Sequence, residues 1–304
     1  MATDIELGQA GWLVPGRLRR LRALVWLCVL AVLCIAAFNL AADASLRLSA
    51  MISGDTFTTR ANAPTGARLI AVIIGSVGLL GTYALAVGLV ERRKVPELGL
   101  HRLLPDLAIG LAIGGLLIVL IIGLMWTAGW VTIMAVPATK IAESLKQSVQ
   151  SGVIEEVLMR IIIFRLLWRV AGVFPALIAT AALFGALHLT NPDATIFAAL
   201  CLIAGEGIGA GLYLLTGRVW MSIGMHAGWN FAQGWLFGSA VSGLDDFAGG
   251  PLQTRPVEGV AETLSGGGFG PESSLAALFV SLLASAIILG MAWRKGRFVA
   301  ASEQ

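Results

Sequence analysis

Eight apolar runs, each close to the ~20 residues an α-helix needs to cross a bilayer, dominate the chain. They lie at about 21–42, 69–90, 107–126, 152–170, 173–189, 195–215, 219–237 and 274–293. Inside hydrocarbon every backbone N–H and C=O must find its partner within the segment, so such runs are read as helices. Composition agrees: of 304 residues, 57% are hydrophobic and 13% charged, where soluble domains carry about 25% charged residues. The expected fold class is all-α: a polytopic membrane protein of about eight transmembrane helices enclosing an intramembrane polar cavity. One membrane domain is expected, in three parts. Residues 1–150 hold three helices and a connector, 151–240 hold four more helices, and 241–304 hold a loop and the last helix.

The formal charge of +3 and pI near 9.0 do not indicate nucleic acid, because the basic residues cluster at the ends of apolar runs. With the N-terminus inside, fourteen Lys and Arg fall in cytoplasmic segments and six in outer ones, with Arg160 left within a helix. That bias favours both termini in the cytoplasm. The first run resembles a signal peptide at its ends, but it is long for one, so an uncleaved helix is expected. Cys28, Cys34 and Cys201 all lie in apolar runs without metal-type spacing and read as small core residues. The connector 137–150 mixes Lys140, Glu143 and Lys146 with apolar residues and reads as an interfacial amphipathic segment. The stretch 239–272, with Gly249-Gly250-Pro251 and Gly266-Gly267-Gly268, reads as a mobile outer loop.

Three polar motifs interrupt the apolar pattern: Glu155-Glu156-x-x-x-Arg160, Phe184-x-x-x-His188 and His226-x-x-x-Asn230. An ionisable group at the bilayer centre costs ~2.5–3.5 kcal/mol on insertion scales, so such residues mark function by default. Glu156 and Arg160 stand one turn apart in the order favoured for an ion pair, whereas Glu155 is rotated by about 100° and is left to face a cavity. His226 and Asn230 also stand one turn apart and can share that pocket. Glu206, between Gly205 and Gly207, either lines the cavity or bonds a neighbouring backbone; the structural role is the stronger expectation. Gly207 and Gly211 have the spacing of a close helix contact.

The three motifs in this order resemble the CAAX protease and bacteriocin-processing family, which includes type II CaaX prenyl endopeptidases and Abi-type membrane proteins. The resemblance covers residues 152–235; Met159 and Ile161 depart from the aromatic and glycine often flanking the family's arginine. It implies that 151–240 is the catalytic core of an intramembrane endopeptidase. Glu155 would activate water with help from His188, and His226 and Asn230 would stabilise the oxyanion. Glu156 and Arg160 would support them. Whether a metal takes part stays open: Glu155, His188 and His226 would make a zinc set with room for water. The implied partners are the bilayer and a membrane-associated or lipidated peptide or protein, and the expected location is a bacterial inner membrane. The alternative is a non-catalytic scaffold, or an immunity or signalling protein of the same family. A transporter fits less well, for want of internal repeats. Other intramembrane protease chemistries lack their HExxH or GxGD signatures.

Overall fold

The computed structural model describes residues 4–54, 57, 59–246 and 248–298. Its long helices are α1 (Arg19–Ser53), α2 (Thr65–Ala86), α3 (Leu103–Thr127), α4 (Ile141–Glu156), α5 (Arg165–Ala171), α6 (Val173–His188), α7 (Ile196–Thr216), α8 (Trp220–Phe231) and α10 (Leu275–Arg294), with the short α9 (Glu262–Ser265) before the last. Every one of the eight expected segments is helical. Among the described residues, five helical stretches are long and apolar enough to cross a membrane: Arg19–Ser53, Thr65–Glu91, Pro96–Thr127, Ile196–Thr216 and Leu275–Arg294. α6 is apolar but shorter. The chain is thus an all-α membrane protein.

The connections collect at two ends of the bundle, as the bonds between them show. At one end Arg165 bonds Glu91 at 2.7 and 2.9 Å, and Arg218 bonds Asp106 at 2.6 Å. The N-terminal stretch lies across this end, where Arg169 donates to the Leu13 carbonyl and Arg297 reaches Asp4 at 3.1 Å. At the other end lie the α3–α4, α6–α7 and α8–α10 connections.

Two features place the segments that carry the polar motifs. The connector and the fourth expected span are one uninterrupted helix: α4 continues through π-helical turns (Val157–Phe164) into α5. From Ile141 on, the connector is thus the front of that helix and not a separate segment. Its Ser144, Lys146 and Ser148 are buried, because α2 and α8 pack against it and Arg68 takes up Glu143 at 3.0 Å. Second, α3 and α8 approach closely. A Cβ on Gly110 or Gly114 would run into the α8 backbone, and one on Gly224 or Gly228 into the α3 backbone. Small residues four apart on both helices permit that contact, as is common between membrane helices.

The stretch expected to be a mobile loop is extensively bonded. Its strand β2 (Leu252–Pro256) pairs antiparallel with β1 (Val131–Ala135), Val131 opposite Pro256 and Ala135 opposite Leu252. Ser239, Val241, Phe269 and Glu272 are buried. The glycines that suggested disorder instead permit close turns, as at Gly266, whose backbone is left-handed and whose Cβ would strike Gly270.

Glu91 is the joint of the first end. It accepts from Trp26 Nε1 at 2.8 Å, Arg93 Nε at 2.7 Å and both terminal nitrogens of Arg165, and it is fully buried. Removing one partner of a buried ion pair leaves an uncompensated charge, at a cost of about 3–5 kcal/mol. Glu91→Ala is expected to lower stability by that order, read as the unfolding midpoint of the detergent-solubilised chain.

Candidate active site

Three helices bring the polar motifs to one cavity of about 160 Å³. Glu155 and Glu156 sit at the end of α4, where the helix passes into its π-helical turns. His188 is the last residue of α6, and His226 and Asn230 are one turn apart on α8. Gly224 and Gly228 occupy the α3 side of α8, and the intervening His226 is thereby turned toward the cavity.

The two adjacent carboxylates have different partners. Glu156 is buried and receives Arg160 Nε at 2.7 Å and Nη2 at 3.2 Å, as the one-turn spacing predicts. It also receives His226 Nδ1 at 3.0 Å. Among the described residues Glu155 pairs with no Arg or Lys: its Oε2 lies 3.8 Å from His226 Nε2 and 4.0 Å from His188 Nε2, beyond hydrogen-bond reach, and is buried without a hydrogen bond. His188 Nδ1 donates to the Phe184 carbonyl at 2.8 Å, which turns Nε2 toward Glu155. The Phe184 ring lies against the His188 imidazole, their centroids 4.4 Å apart. Asn230 Nδ2 donates to Ser151 Oγ at 2.8 Å and keeps its second hydrogen for another acceptor.

Glu206 both lines the cavity and pairs with Arg160, rather than with a neighbouring backbone. The guanidinium reaches it across Gly209, where a Cβ would stand 2.5 Å from Arg160 Nη2. Gly207 and Gly211, on the same helix, pack against Ser285 and Ile288 of α10. Sequence reasoning did not reach Ser151, Trp229, Ser242 or Glu272. The first two lie on the motif helices at cavity-facing positions, so helical spacing from Glu155 and His226 could have found them. Ser242 and Glu272 carry no local signal.

Those two close the cavity from the connection after α8. Glu272 Oε1 accepts both the backbone N–H and the hydroxyl of Ser242, each at 2.7 Å, and Oε2 accepts Trp229 Nε1 at 3.2 Å. Ser242 has left-handed backbone (φ 50°), a conformation that costs energy in a residue other than glycine. The Ser242 carbonyl accepts from Asn191 at 3.0 Å, and the Asn191 backbone bonds the carbonyl of His188 at 3.1 Å. A tight turn is thus fastened to the end of α6.

Zinc with ligands at about 2.0–2.1 Å sets its donors about 3.3 Å apart in a tetrahedron. The Oε2–Nε2 separations of 3.8 and 4.0 Å are wider. Among the described residues no three His, Cys, Asp or Glu side chains gather closely enough to hold a metal ion.

Residues 137–232 match the family described as Rce1-like, type II CAAX prenyl endopeptidase. This segment belongs to the CAAX protease family. No curated protein and no solved structure matches the chain. The CAAX protease segment runs from the start of α4 to the end of α8 and holds all three motifs, whereas Ser242 and Glu272 lie beyond it. The family is one of peptidases, which supports peptide-bond hydrolysis in the membrane as the chemistry of this core.

Burial pushes the Glu272 carboxyl above its ordinary range, against the pull of the Ser242 bonds and of His188. A carboxyl whose pKa is higher folded than unfolded takes up a proton on folding, so its contribution to stability falls as pH rises from acid to neutral. Glu272→Gln is expected to remove that slope, as checked by thermal unfolding between about pH 5 and pH 8.

Proposed function

We propose that the chain is an intramembrane endopeptidase that cleaves a membrane-associated or lipidated peptide or protein by water activated at Glu155. The observation that carries this reading is the buried, unbonded Glu155 Oε2 facing two imidazoles. The reading requires a water to bond this oxygen between the two imidazoles.

In the proposed reaction the water gives a proton to Glu155 as its oxygen attacks the substrate carbonyl, with His188 Nε2 orienting it as a second acceptor. The carbonyl oxygen becomes the oxyanion. Asn230 offers it the Nδ2 hydrogen not spent on Ser151, and His226, when both ring nitrogens carry protons, offers Nε2–H while Nδ1–H stays on Glu156. The proton held by Glu155 then passes to the leaving amine, and the peptide bond breaks. Glu156 and Arg160 hold His226 in place and do not touch the substrate. No step needs a metal, consistent with the wide donor separations.

The basic end of the bundle is read as cytoplasmic and the membrane as a bacterial inner membrane, with both termini inside. The Lys and Arg bias supports the orientation. The cavity is lined by Ser242 and Glu272 from the opposite end, so the substrate is expected from that side.

Glu155→Gln is expected to lower cleavage by about 10²–10⁴-fold with the unfolding midpoint unchanged. The measurement is a comparison of membrane-protein N-termini in cells with wild type or variant at matched expression. Termini unchanged by the substitution would favour the non-catalytic scaffold. Dialysis against a chelator is expected to leave the cleavage rate of the purified protein unaltered; loss of activity restored only by zinc would replace the proposed water activation with a metal-based one.

A further inference from the structure

A second recess, of about 210 Å³, opens where the starts of α2 and α4 meet the far end of α1. Its floor is apolar, with Phe38 and Leu46 from α1 and Val72 from α2. Its rim is basic, with Arg60, Arg68 and Lys146. These three cations share two carboxylates: Arg60 pairs with Asp43 at 2.7 Å, while Arg68 and Lys146 both lean on Glu143. Among the described residues one positive charge is therefore left over, and Arg68 Nε is buried without a hydrogen bond. Lys140 and Asp246 border an adjoining recess that also contains Arg68 and Glu143. The starts of α2 and α4 have no side-chain cap, and the partial positive charge of each adds to the rim.

The recess is polar at one end and apolar at the other, and the two ends follow the membrane. Arg60 lies in the connection beyond α1, outside the stretches long and apolar enough to cross a membrane, while Phe38 and Val72 lie within them. A small anion could use the rim but would leave the floor empty; a neutral lipid could cover the floor but would leave the excess charge unmatched. We propose that this recess binds an anionic phospholipid, its phosphate on Arg60, Arg68 and Lys146 and one acyl chain along the apolar floor. Basic recesses between membrane helices are a recognised setting for such headgroups. The site stands across α4 from the catalytic cavity: Lys146 and Gln150 line the recess, whereas Gln147, Ser151 and Glu155 line the cavity. The lipid would thus brace the front half of the helix that carries Glu155. The inference does not depend on the proposed protease reaction.

The test uses the full-length chain in detergent, titrated with phosphatidylglycerol or phosphatidylcholine and read by native mass spectrometry. Phosphatidylglycerol is expected to be retained in preference to phosphatidylcholine, and each arginine changed to glutamine is expected to weaken it about fivefold. Arg60→Gln tests the site at an exposed position if Arg68→Gln does not fold, and Arg47→Gln, outside the recess, is expected to change nothing. Equal retention of the two lipids, or a preference that survives Arg60→Gln and Arg68→Gln together, would overturn the proposal. Displacement of phosphatidylglycerol by inorganic phosphate at similar concentration would overturn it too, since the rim alone would then account for binding.

Discussion

The arrangement of the catalytic cavity depends on one guanidinium. Arg160 is buried within a bundle that sits in hydrocarbon, where a lone positive charge would be driven out. It is held by Glu156 on its own helix and by Glu206 on α7, and Glu156 in turn holds His226 on α8. A single charge therefore fixes the relative rotation of three helices. The energetic logic is defensive: an ion pair of this kind adds little over an apolar contact, but no member can leave without stranding the others. Glu155 is the carboxylate this network does not consume, which is why it remains available for chemistry.

The same principle recurs at the basic end, where Glu91 gathers Trp26, Arg93 and Arg165, and Tyr83 reaches both Glu97 and the Ile161 carbonyl. Ile161 lies within the π-helical turns, whose carbonyls are not all spent on their own helix. Arg165 Nε takes the same carbonyl at 2.8 Å. The irregular turns that follow Glu155 and Glu156 are thus bonded from α2 and from α5.

Much of this was legible in the sequence. Apolar runs located all eight helical segments because the membrane demands long, self-satisfied helices, and one-turn spacing gave the Glu156–Arg160 pair and the separate fate of Glu155. What escaped notice is non-local. The α3–α8 contact needs Gly110, Gly114, Gly224 and Gly228 to be recognised as facing pairs, and no property of either helix alone says so. Ser242 and Glu272 sit in a stretch whose glycines mimic disorder; their order comes from each other, from Trp229 and from the β1–β2 pairing. The continuity of α4 into α5 was hidden because the polar residues 143–150 resemble a surface segment until Arg68 and the neighbouring helices are known to cover them.

That continuity gives the molecule a mechanical element. The rod from Ile141 to Ala171 is about 45 Å long at 1.5 Å per residue, longer than the ~30 Å hydrocarbon core. It is pinned at one end by Glu91 through Arg165 and leans at the other on Arg68 through Glu143, with Glu155 roughly at the midpoint. A small tilt at either membrane surface is thus transmitted to the Glu155 carboxylate as a displacement of about half the size. Bilayer thickness and lateral pressure, which act on the ends of such a rod, have a direct handle on the distance between Glu155 and the two imidazoles.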